Sequence, residues 1–114
     1  MDERILKWLF DIKLSIEEID SYFESHGDDF FKYRQNLMMK RAVERNLEII
    51  GEAMNRIITR DSSFEEKITN AKAIIGLRNH VIHSYDNVSD ENIWAILTNH
   101  LPKLKLEIDS LTQE

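Results

Sequence analysis

Only three glycines and one proline punctuate these 114 residues. A backbone with so few cheap places to reverse favours a few long helices over many short strands. The apolar spacing agrees. Ile5, Leu9, Ile12, Ile16, Ile19 and Phe23 recur at alternating intervals of four and three, the stripe of a helix packed in a bundle, and Trp8 widens that face. His26-Gly27-Asp28-Asp29 then predicts a loop. A second helix is expected to start between Phe31 and Gln35 and to run to about Thr59. It carries two adjacent stripes. One is Met39, Ala42, Asn46, Ile49 and Ala53; the other is Val43, Leu47, Ile50, Met54 and Ile57. Two stripes mean burial against more than one neighbour, and Gly51 and Ala53 leave room for another helix to approach closely.

Asp61-Ser62-Ser63 reads as a break, and Ser63 with Glu66 fits a capping box, in which hydroxyl and carboxylate each satisfy a free backbone N–H. The helix opened there is expected to carry Phe64, Ile68, Ala71 and Ile75, followed by Arg78 and Ile82. Ser84 to Ser89 forms the next connection, with Ser89 as N-cap of a last helix marked by Ile93, Leu97, Leu101, Leu104, Ile108 and Leu111. Pro102 lies inside that stripe and removes the N–H that would bond Thr98, so a kink is expected. The sum is an all-α, up-and-down four-helix bundle with a kinked last helix, forming a single domain over residues 1–114. No strand pattern, internal repeat or low-complexity segment interrupts it.

Composition excludes several classes. Zero cysteines remove disulfide and thiolate-metal chemistry. The acidic start Met1-Asp2-Glu3 is unlike a secretory leader, and no apolar run approaches the roughly 20 residues that span a bilayer. A cytoplasmic protein without membrane association is the expectation. The formal charge of −6 argues against an extended nucleic-acid track over the whole surface, so any contact with RNA is expected to be local.

One residue conflicts with the pattern. Successive helical residues advance by about 100°. On that wheel Arg78 falls within the apolar arc of Ile68, Ala71, Ile75 and Ile82 on one side and Ile74, Leu77 and Val81 on the other. A guanidinium on such a stripe must meet an anion or an interface, since burial without a partner costs several kcal/mol. Snorkelling near the helix end, or pairing with a Glu, is the structural alternative. His83 follows five residues later and in a regular helix points about 140° away from Arg78. The two share one substrate only if the helix loosens before His83 or if a second chain supplies its own copy.

Written out, the segment is Arg78-Asn79-His80-Val81-Ile82-His83-Ser84-Tyr85. It resembles the signature of HEPN-domain proteins, and the closing Tyr is that of HepT-like toxins. Arg41 to Ala53 resembles the second helix of that family, and Ile93-Trp94 followed by Leu101-Pro102 resembles its last. The stretch from Glu24 to Phe31 is the least familiar. The resemblance implies a homodimeric ribonuclease toxin whose catalytic residues are Arg78 and His83, with the usual polar residue Asn79 beside the Arg. It also implies a cognate nucleotidyltransferase antitoxin of the minimal type, which silences the toxin by adenylylating Tyr85. RNA, a second copy and this antitoxin are the expected partners; DNA, a membrane, a metal and an organic cofactor are not expected.

The residue types suit that chemistry. His titrates near neutral pH and can take the 2′-hydroxyl proton. Arg stays protonated and offers a planar fork to a phosphate as negative charge develops. A 2′,3′-cyclic phosphate product is then expected, with Asn79 orienting the phosphate or His83. Adenylylation of Tyr85 would add bulk and negative charge at the pocket mouth.

Rival readings exist for the same residues. His80 and His83, with Asp86, suggest a metal pair, but no third ligand has the spacing such a site needs. His26 and His100 read as satisfied isolated histidines. Arg41, Arg45, Glu48 and Glu52 read as a solvated face with intrahelical pairs, or alternatively as a polar network supporting the motif helix. Trp8 and Trp94 are expected to be buried. The principal functional alternative is a non-catalytic HEPN subunit that presents its surface to a nucleotidyltransferase, a reading the net acidity favours. A plain dimerisation module would leave Arg78 without a role.

Overall fold

The computed structural model describes residues 1–27, 29–83 and 90–113; at positions 26 and 78–83 it describes the backbone alone. These residues form six α-helices: α1 (Glu3–His26), α2 (Phe30–Gln35), α3 (Leu37–Arg60), α4 (Ala71–His83), α5 (Asp90–Asn99) and α6 (Leu101–Thr112). A short 3₁₀ turn, Ser62–Glu65, lies between α3 and α4. The all-α class expected from the periodicity is what the backbone adopts. Helix α3 is the centre of the arrangement, packed by α1 and α4 along its length and by α2 near its start, while α6 closes on α1. Val43, Leu47, Ile50, Met54 and Ile57 on α3 are fully buried, and Leu9, Ile12, Ile16 and Ile19 of α1 meet them at 2% exposure or less. Gly51 and Ala53 are buried too, at the small-residue positions where a neighbour was expected to come close.

Several boundaries differ from the sequence reading, each for a local reason. The second expected helix is two helices, because Asn36 adopts an extended backbone and its side chain accepts from the Met39 N–H at 3.0 Å. That bond is an N-cap, and it starts α3 afresh. The Ser63–Glu66 capping box does not form. Asp61 takes the capping role instead, its Oδ1 accepting from the Ser63 N–H at 3.0 Å and from the Ser63 hydroxyl at 2.6 Å. The chain beyond this cap runs as the 3₁₀ turn Ser62–Glu65 rather than as an α-helix. Phe64 and Ile68 are still buried, at 3% and 1%, but from this turn region. Helix α4 begins only after Asn70, whose φ of 59° is a left-handed conformation that Asn tolerates better than most residues.

The kink expected near Pro102 is a one-residue interruption at His100, which separates α5 from α6 while its own backbone stays in the right-handed helical region. Pro102 falls in the first turn of α6, where its missing N–H costs nothing. The Leu104 N–H reaches the His100 carbonyl at 3.1 Å, so the hydrogen bonding resumes immediately. At the other end of the chain, His26 belongs to α1, and Gly27 ends that helix at φ 90°, a conformation that disfavours any side chain.

The fold predicts its own weak point. Ile50 is fully enclosed at the middle of α3, so Ile50→Ala should lower stability by about 2–5 kcal/mol through lost burial and the cavity left behind. Thermal or denaturant unfolding reads this; a loss under 1 kcal/mol, roughly that of an exposed position, would refute the central placement of α3.

Candidate functional site

Helix α4 carries the motif, and its register determines how the motif can be used. Ala71 and Ile74 are buried at 4% and 8%, and Ile75 and Leu77 pack partly against the core. Position 78 is seven residues beyond Ala71 and four beyond Ile74, so it continues the inward stripe of α4 by helical spacing. The backbone stays helical through His83. Loosening ahead of His83, one of the two routes expected to bring it to Arg78, therefore does not occur, and the two positions are about 140° apart on one helix. Asn79 sits beside Arg78 on the same turn. Tyr85 and Asp86 lie outside the described residues, as does Ser89. Among the described residues, no three His, Cys, Asp or Glu side chains are grouped to hold a metal ion.

Two clefts flank the central helices. On the α5 and α6 side of α4, a groove of about 510 Å³ is bordered by Ala73, Gly76 and Leu77 and, across it, by Ala95, Ile96 and Lys103. A methyl group added at Gly76 would meet nothing within 4 Å, so this side of α4 is open. Between α1 and α3 lies a polar cleft of about 390 Å³ with Trp8, Arg45, Glu48, Glu52 and Arg56 on its walls. Its charges pair along α3: Arg45 with Glu48 at 3.2 Å and Arg56 with Glu52 at 3.3 Å, while Arg41 pairs with Glu44 at 3.0 Å. The intrahelical pairing expected for this stripe is present, with partners three or four residues apart.

The start of α5, where the chain returns after the motif connection, is held firmly. Lys40 on α3 bridges Asp90 at 3.0 Å, with both side chains less than a quarter exposed. Trp94 packs edge-on against Phe23 and Phe30 and lies tilted against Tyr33, at centroid distances of 5.5 to 5.7 Å. Such ring contacts add to simple burial. They join α1, α2 and α5 into one aromatic box; Trp94, expected to be buried, is half-buried against these rings, and Trp8 is likewise only partly buried. The sequence reading missed this box, although Phe30, Tyr33 and Trp94 stood in it as a signal. Burial raises the Tyr33 phenol well above its ordinary range, and the charges of Glu44 and Asp90 add to the effect.

That shift has a signed consequence. A phenol whose folded pKa exceeds its unfolded value contributes stability below the unfolded pKa, about 10, and loses that contribution as pH rises further. Unfolding midpoints should therefore fall as pH climbs from 9 to 11, and Tyr33→Phe should flatten the fall. An unchanged alkaline slope in that variant would show that Tyr33 does not drive it.

The relatives agree with the architecture. The family model described as "Ribonuclease HepT-like" matches residues 12–111. A candidate RNase of Methanocaldococcus jannaschii is 37% identical over 112 residues, covering 96% of this chain and 98% of that protein. A candidate RNase of Caldanaerobacter subterraneus subsp. tengcongensis is 31% identical over 90 residues, 77% of this chain and 78% of the other. In fold the chain is similar to a tri-AMPylated HEPN toxin of Shewanella oneidensis solved in complex with its MNT antitoxin, with a TM-score of 0.72, 22% identity and full coverage of both chains. With the family model spanning most of the sequence, and with helices placed as described, this chain belongs to the HepT-like ribonuclease family.

Proposed function

We propose that the chain is one HEPN-like domain over residues 1–114 that acts as a homodimeric, metal-independent endoribonuclease toxin. Arg78 and His83 are its catalytic residues and Asn79 supports them. The observation that carries the reading is the unbroken helix from Ala71 through His83 in a chain of a ribonuclease family. An inward-register cation and an imidazole about 140° away on one helix serve one phosphate most simply when two copies of α4 meet across a two-fold axis. The open side of α4 at Gly76 lies within about 20° of position 83 on the helical wheel, so a neighbour can reach the face in register with His83.

In this scheme His83 takes the proton of a ribose 2′-hydroxyl as that oxygen attacks the adjacent phosphorus. The bond from phosphorus to the 5′-oxygen breaks, the leaving oxygen is protonated, and a 2′,3′-cyclic phosphate remains. Arg78 offers its fork to the phosphate oxygens as their charge grows. The chemistry is confined to a small cleft, which reconciles RNA as substrate with a net charge of −6. By likeness to the AMPylated toxin found with its antitoxin, a minimal nucleotidyltransferase silences this chain by adenylylating Tyr85, adding a charged phosphate that repels the substrate backbone.

Cleavage of RNA should persist in a chelator, and Arg78→Ala and His83→Ala should each abolish it while the melting temperature is retained. Mixing the two inactive variants tests the shared cleft. If each site takes its Arg from one copy and its His from the other, random reassortment should restore about a quarter of wild-type turnover, since half the dimers are mixed and each holds one complete pair. No recovery on mixing would reject the shared site, and a strict metal requirement would reject the mechanism. Tyr85→Phe should remain an active nuclease that the nucleotidyltransferase cannot silence.

A further inference from the structure

The chain is acidic overall, yet residues 30–45 carry Lys32, Arg34, Lys40, Arg41 and Arg45 against the single acid Glu44. The remaining positions are therefore more acidic than the total of −6 suggests. The same segment exposes three large apolar side chains: Phe31 at 69%, Leu37 at 62% and Met38 at 86%. Neither feature is explained by the fold. The core of α3 is built from its other face; Phe31 touches the Phe30 ring edge-on at 6.0 Å but, like Met38, leaves most of its surface in water.

On α2 these residues flank the buried Tyr33, with Lys32 on one side and Phe31 and Arg34 towards the other. Phe31 and Arg34 are three apart on α2, and Leu37 and Arg41 are four apart on α3, so each pair shares a side of its helix. A shallow cleft of about 440 Å³ joins the two helices, with Lys32 on one wall and Leu37 and Met38 on the other. Lys32 and Arg34 are exposed and make no ion pair among the described residues. Among the described residues Arg41 is held by Glu44, with 71% of its side chain exposed, a pairing that a phosphate can displace at little cost. One ion pair links the patch to the helix that follows the motif connection. Lys40, on the next turn of α3, is bridged to Asp90, the residue at which the chain re-enters a helix after the motif connection.

We propose that this surface holds single-stranded RNA next to the cleavage site, with Phe31 stacking on a base and Lys32, Arg34 and Arg41 contacting phosphates. The inference rests on RNA being the substrate, as proposed above, and adds where the strand lies outside the cleft. Cations interleaved with an exposed aromatic ring suit an unpaired strand, whose bases offer a face to stack on while its backbone offers charge. A basic patch on an otherwise acidic molecule also orients an approaching strand, because the rest of the surface repels it.

The test uses the full chain carrying His83→Ala, so that labelled RNA survives, and measures the fluorescence anisotropy of a single-stranded RNA of about 20 nucleotides, a length that spans one such site with flanks. Lys32→Glu with Arg34→Glu should weaken binding at least tenfold at low salt and reduce the salt dependence, since two phosphate contacts are lost. Phe31→Ala should weaken binding about fivefold or more with the salt dependence unchanged. All three positions are exposed, so melting temperatures should hold. Unaltered RNA affinity in both variants, or no RNA binding by the parent chain, overturns the proposal. So does loss of nucleotidyltransferase binding with RNA affinity intact, which would make the patch a protein-docking surface. Cleavage by the chain with native His83 is scored separately. Binding through the patch without cleavage would sink the catalytic reading and leave this surface standing; cleavage with variant-insensitive binding would do the reverse.

Discussion

The structure depends on burying α3 on two adjacent faces at once. Val43, Leu47, Ile50, Met54 and Ile57 are wholly removed from water, and each such side chain contributes roughly 1.5–3 kcal/mol relative to exposure. No single neighbouring helix can cover a surface that wide. Helices α1 and α4 share it, α2 covers its start, and small side chains at Gly51 and Ala53 accept the closest approach. The motif helix is thereby fixed in rotation by the same packing that holds the fold. Ala71 and Ile74 lock α4 against the core, and position 78 inherits its register from them.

Electrostatics are distributed with a similar economy. Bridges between Lys13 and Asp109, Lys105 and Asp20, and Arg60 and Asp2 join distant parts of the chain at its surface, where each adds little. The half-buried Lys40–Asp90 pair is different in consequence, because it fixes the point at which the chain resumes a helix after the motif connection. With the aromatic box around Trp94, it makes the start of α5 a rigid anchor on one side of the candidate site. The elements around the motif helix are thus held by packing rather than by long-range charge.

Much of this was legible in the residues themselves. The four-and-three spacing of Ile5 through Phe23 and the double stripe of α3 specified helices and their buried faces, because period and burial are linked by helix geometry alone. The Arg78–His83–Tyr85 spacing, with the blocks at Arg41–Ala53 and Ile93–Pro102, was sufficient to indicate the family. The breaks were less legible. Asn36, Asp61 and Asn70 interrupt helices through one or two hydrogen bonds each, and a polar side chain that caps looks in sequence like one that faces solvent.

The sequence by itself determined that the chain is helical, which faces of α1 and α3 turn inward, and that a cation interrupts the apolar stripe leading into His83. These follow from side-chain chemistry repeated at a fixed angular step, which needs no partner to be read. Tertiary structure decided where the helices stop, that α4 stays helical through His83, and that Phe31, Leu37 and Met38 remain outside the core although they are apolar. Those outcomes depend on which neighbour each helix meets and on how its ends are capped, and both arise from contacts between segments far apart in the chain.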